Sequence, residues 1–84
     1  MDPLLLLNDM LSYQPDMEDV IHEIAELDPS VAIRSLLDAL YDDRIRISPD
    51  LLHRLGEYCD GSYYLEESYH DLADLQKELA ANAD

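Results

Sequence analysis

At 84 residues the chain is long enough for one domain with a thin core, since a protein of this size buries only roughly 60–65% of its unfolded surface; a deep catalytic cleft is not expected. Twenty acids against five bases give a net charge of −15, which excludes nucleic acid and anionic membrane as direct partners and points to a basic protein surface. The apolar residues are Leu, Ile, Val, Ala and Met with no Phe or Trp, a composition that favours helices over strands.

Four prolines set the rhythm of the chain, at Asp2-Pro3, Gln14-Pro15, Asp28-Pro29 and Ser48-Pro49. Proline suits the first position of a helix, where its missing donor is not needed, and Asp or Ser before it accepts from the free amides. Each pair therefore reads as a helix start. The first helix is expected over about 3–13, with Leu4, Leu7 and Leu11 facing inward. Its "PLLLL" run has no basic flank and is too short for a signal peptide or a membrane span, so the expected location is cytoplasmic.

The second helix, about 15–27, presents Met17, Val20, Ile21, Ile24 and Leu27 at core spacing. Asp16, Asp19, Glu23 and Glu26 step along its other side. Third comes a helix over about 29–42 with Ile33, Leu36, Leu37 and Leu40 inside. "RIRI" at 44–47 alternates too briefly to make a strand and reads as an extended connector with Ile45 and Ile47 turned inward. A fourth helix, about 49–60, uses Leu51, Leu52 and Leu55. Gly61 then marks a corner, and Ser62 is placed to cap a fifth helix over about 63–80 built on Leu65, Tyr69, Leu72, Leu75 and Leu79. The closing "AANAD" is expected to fray. The outcome is an all-α, single-domain bundle of four to five short helices spanning residues 1–84.

Charge is distributed unevenly along these elements. Residues 1–33 carry eight acids and no base, whereas the four arginines fall within 34–54 beside Asp38, Asp42, Asp43 and Asp50. Pairing with those aspartates is the expected role of Arg34, Arg44, Arg46 and Arg54, tying the third helix, the connector and the fourth helix together. The fifth helix carries a second row, Glu67, Asp71, Asp74 and Glu78, with Lys77 as its only base. Surface helices gain ~0.2–0.5 kcal/mol from each acid–base pair at this spacing and lose a similar amount from each like pair. Carboxylates on successive turns lie about 5–6 Å apart, near the phosphate spacing of a nucleic-acid strand, so both rows can imitate a phosphate backbone.

Chemistry-bearing motifs are weak by comparison. Asp19…His22, Asp50…His53 and Glu67…His70 each share a helix face, but only the last has the residue types of a carboxylate-bridged metal site, so no metal or cofactor is expected. "HEIAE" at 22–26 lacks the second histidine of a zinc-protease helix. A single cysteine, Cys59, cannot form an internal disulfide and reads as a small buried hydrophobe of a reducing compartment. An enzyme is not expected.

The remaining cluster is "GEYCDGSYYLEESYHD" at 56–71, which holds four of the six tyrosines. Tyr63 and Tyr64 at the Gly61 corner, rimmed by Asp60, Glu66, Glu67 and Asp71, would offer aromatic anchors to an arginine-rich partner. The Tyr63-Tyr64 pair within an acidic face is similar to that of the small helical immunity proteins that neutralise bacterial nuclease toxins, although Leu65 follows the pair where that family has proline. Acidic anti-CRISPR proteins of phages, which occupy nucleic-acid sites on their targets, resemble the chain in size, charge and class. Both resemblances imply a stoichiometric inhibitor. The sequence expectation is an inhibitor that blocks a basic nucleic-acid-binding surface; the alternatives are an immunity protein or antitoxin against a nuclease, and a non-catalytic adaptor or homodimer using the Leu4 to Leu7 run.

Overall fold

The computed structural model describes residues 2–82 and contains five helices, α1 (Pro3–Leu11), α2 (Glu18–Leu27), α3 (Pro29–Asp42), α4 (Pro49–Cys59) and α5 (Tyr63–Ala81). The fold is a small all-α bundle. Three of the four proline starts form as the sequence dictates: the Asp2 carboxylate accepts from Leu4 N–H at 2.9 Å, that of Asp28 from Ser30 N–H at 3.0 Å, and the Ser48 hydroxyl from Leu51 N–H at 3.1 Å. Gln14 makes no such cap, so Pro15–Met17 winds into a separate 3₁₀ turn and the second helix begins only at Glu18.

Two helix ends are set by left-handed residues. Arg44 (φ 54°) ends α3 in a Schellman arrangement, with Ile45 N–H donating to Leu40 C=O at 3.0 Å and Arg44 N–H to Tyr41 C=O at 3.1 Å. After α4, Asp60 (φ −59°, ψ 128°) and Gly61 (φ 78°) make a type II turn closed by Ser62 N–H on Cys59 C=O at 3.0 Å, a position that requires glycine. The Ser62 side chain does not cap α5 as expected. Instead the Glu66 carboxylate reaches back and accepts from Gly61 N–H at 3.1 Å.

α3 forms the centre: Ala32, Ile33, Leu36, Leu37 and Leu40 are all fully buried, and the helix packs against α1, α2 and α5, while α4 closes against α1 and α5. The molecule measures 40 × 29 × 19 Å, and its shortest axis leaves room for about two helix diameters. Three expected core positions face outward: Leu4 is 56% exposed, Val20 48% and Leu27 88%. In α1 the inward face is Leu6, Leu7, Met10 and Leu11, so the leucine run is split, with Leu4 and Leu5 outside and Leu6 and Leu7 inside. In α2, which covers one side of α3, Ile21 alone is fully buried.

The connector 43–48 has no strand partner and is held by side chains. Gln76, buried on α5, accepts from Ile47 N–H at 2.8 Å and donates to Ile45 C=O at 2.9 Å, while Tyr13 Oη accepts from Ser48 N–H at 3.0 Å. Ile47 is buried and Ile45 packs against the core. The fraying expected at the C-terminus does not reach Ala81, where α5 ends; residues 83 and 84 lie outside the described residues.

Candidate protein-binding surface

Both carboxylate rows face solvent. Asp19, Glu23 and Glu26 on α2 are exposed, and so is Asp16, although it belongs to the turn ahead of the helix rather than to the helical stripe. Glu67, Asp71, Asp74 and Glu78 are exposed along α5. Among the described residues, Asp16, Asp19, Glu23, Glu26, Glu67, Asp71 and Asp74 have no basic group within salt-bridge distance. Glu78 differs from its neighbours, because Arg44 pairs with it at 3.2 Å.

The arginines are arranged differently from the sequence expectation. Arg34–Asp38 (4.0 Å) and Arg54–Asp50 (3.0 Å) lie within single helices; among the described residues the arginine ion pairs between elements are Arg54–Asp9, from α4 to α1, and Arg44–Glu78, from the connector to α5. Neither Asp42 nor Asp43 takes an arginine; Asp43 accepts from the Gln14 amide at 2.6 Å instead. These partners were hidden in the sequence because α1 meets α4, and α5 the connector, only in three dimensions.

At the Gly61 corner the two adjacent tyrosines have different surroundings. Tyr63 is 97% exposed, whereas Tyr64 is 45% exposed and the Arg34 guanidinium lies 4.5 Å from its ring centroid. One face of Tyr64 is thus already occupied by a cation of the chain itself, and Tyr63 is the more exposed of the two. Asp60 is exposed beside it; Glu66 is half-buried and turned toward Gly61, so it shapes the corner more than it faces a partner.

Between α4 and α5 lies a recess of about 350 Å³ lined by Gly56, Cys59 and Tyr69 and rimmed by His53, Glu57, Asp60, Glu66 and His70. Sequence reasoning missed the reason it exists. Gly56, inside a helix, lets the Tyr69 hydroxyl approach to 2.7 Å from where a Cβ would stand. No lysine or arginine lines the recess. Cys59 is buried, and burial together with the Glu66 charge pushes its thiol up to about 11, so it is protonated at neutral pH and a poor nucleophile. His53 donates to or pairs with Glu57 at 2.7 Å on the outer face of α4. Among the described residues no group of three or more His, Cys, Asp or Glu is placed to hold a metal ion, and no helix is long and apolar enough to cross a membrane. What the surface offers is contact chemistry: exposed carboxylates in rows and one bare tyrosine. Compared with known protein families, curated proteins and solved structures, the chain matches none.

Proposed function

We propose that the protein acts by binding, as a stoichiometric inhibitor that covers a basic, normally nucleic-acid-binding surface of another protein, in the manner of a phage anti-defence or anti-CRISPR protein. The observation that supports this most is the separation of charge: Asp19, Glu23 and Glu26 of α2 and Glu67, Asp71 and Asp74 of α5 stand exposed with no basic partner among the described residues, while Arg34, Arg44 and Arg54 are engaged within the molecule. Rows of this kind raise the energy of the compact state by self-repulsion, a cost that a cationic partner removes on binding. Long-range attraction then comes from the rows, and short-range anchoring from Tyr63 in its acidic surroundings. The alternative is an immunity protein or antitoxin that neutralises a nuclease toxin; of the tyrosine pair on which that reading rests, Tyr63 is exposed and Tyr64 is engaged by Arg34.

Capture from host lysate on the immobilised chain tests the proposal. The expected catch is one or more nucleic-acid-binding proteins, released by added DNA or RNA and weakened at least about tenfold between 50 and 200 mM salt. Retention that ignores both salt and nucleic acid would remove the basis of the reading.

A further inference from the structure

Arg46 and Lys77 are the two bases for which the described residues supply no carboxylate partner. In a chain with four acids for every base this is unexpected, and both line one recess of about 220 Å³ between the connector, α4 and α5. Its walls are the apolar parts of Ile47, Pro49, Leu52 and Ala80. Gln76 also reaches the recess, but its amide is committed on both sides, to Ile47 N–H and Ile45 C=O. The groove therefore combines an apolar interior with polar capacity that is cationic only. Water satisfies a guanidinium or ammonium but gains nothing from the aliphatic walls, so the complement in both respects is an aliphatic side chain next to a carboxylate.

We propose that the Arg46–Lys77 groove docks a short acidic segment of a partner protein, with a leucine or isoleucine side chain seated between Ile47, Leu52 and Ala80 and the flanking carboxylates on Arg46 and Lys77. Because this groove is the locally basic part of an acidic molecule, it serves a different contact from the carboxylate rows and stands whether or not they bind a basic protein. The flanking charges set which segments are accepted.

Titration of the isotope-labelled full chain with the synthetic peptide acetyl-Gly-Glu-Leu-Asp-Gly-amide, followed by amide chemical shifts, is the test. The expected result is saturable shifts at Ile47, Leu52, Lys77 and Ala80. Binding should weaken at least tenfold for a peptide with glutamine and asparagine in place of the acids, and equally for one with alanine in place of leucine. The Arg46→Gln/Lys77→Gln variant, whose other resonances report that it is folded, should lose the response; Ala80→Glu, which places a competing carboxylate at the groove, should lose it too. Absence of saturable shifts, shifts centred elsewhere, or equal binding of the uncharged peptide overturns the proposal. Concentration-dependent shifts of the same residues in peptide-free protein overturn it as well, by giving the groove to a second copy of the chain.

Discussion

Gly56 and Tyr69 illustrate how much one absent methyl group decides here. A glycine inside a helix costs about 1 kcal/mol relative to alanine, yet with the Tyr69 hydroxyl at 2.7 Å and its ring carbon at 3.0 Å a Cβ would require the Tyr69 ring to shift from its place against the core. Overpacking typically costs ~1–3 kcal/mol, which exceeds the propensity gain, so Gly56→Ala is expected to destabilise by about 1 kcal/mol in urea unfolding. In a Tyr69→Leu background the obstruction is gone, and the same alanine should stabilise by roughly 0.5–1 kcal/mol. Equal effects in both backgrounds would mean that the close approach does not matter.

Cys59 carries a pH prediction at the same scale. Its folded thiol, at about 11, lies above its ordinary value of 9.0. The folded state therefore holds its proton where the unfolded state releases it, and stability is unaffected by this group below pH 9 and falls as pH rises from about 9 to 11. Cys59→Ala should flatten that decline, and in the native protein the thiol should resist alkylation at pH 8 while reacting freely in denaturant. Rapid alkylation of the folded chain would contradict the burial.

Among the elements, the connector is the one that the sequence described least. Alternation in "RIRI" indicated inward isoleucines, but Gln76 and Tyr13 lie 29 and 35 residues from the groups they bind, and no local pattern announces such partners. Gln76→Leu keeps the size of the side chain and leaves Ile47 N–H and Ile45 C=O without their partner. With ~1–3 kcal/mol for each buried group left unmade, a loss of about 2–3 kcal/mol is expected, together with faster amide exchange at Ile47. A change under 0.5 kcal/mol would show that the connector is held otherwise. The helices themselves were legible, because Asp-Pro and Ser-Pro starts, a glycine corner and 3.6-residue periodicity are local signals. Where local signals failed, the reasons are physical. Gln14 cannot cap as Asp or Ser does. Leu4, Val20 and Leu27 have core periodicity, but α1 and α2 each have only part of their surface covered by a neighbour, so the outermost apolar positions remain in solvent. Of the candidate surface, the exposure of the carboxylate rows was readable from their spacing. The capture of Glu78 by Arg44, of Tyr64 by Arg34 and of Glu66 by Gly61 was not, since each depends on how elements meet.

At the scale of the whole molecule, charge is what sets this bundle apart from an ordinary small helical domain. The hydrophobic core is continuous from α1 to α5 and buries no unsatisfied side-chain polar atom among the described residues. The unpaired carboxylates of α2 and α5 contribute nothing to that core and oppose compactness, a cost that the proposed cationic partner would offset. The partner recovered by capture allows the most direct measurement: its affinity for the chain and for the isosteric variant Asp19→Asn/Glu23→Gln/Asp71→Asn/Asp74→Asn, across a salt series. The variant should stay folded, bind at least about 100-fold more weakly at 50 mM salt, and show a shallower dependence of log Kd on log salt concentration. An unchanged affinity and slope in the folded variant would contradict it.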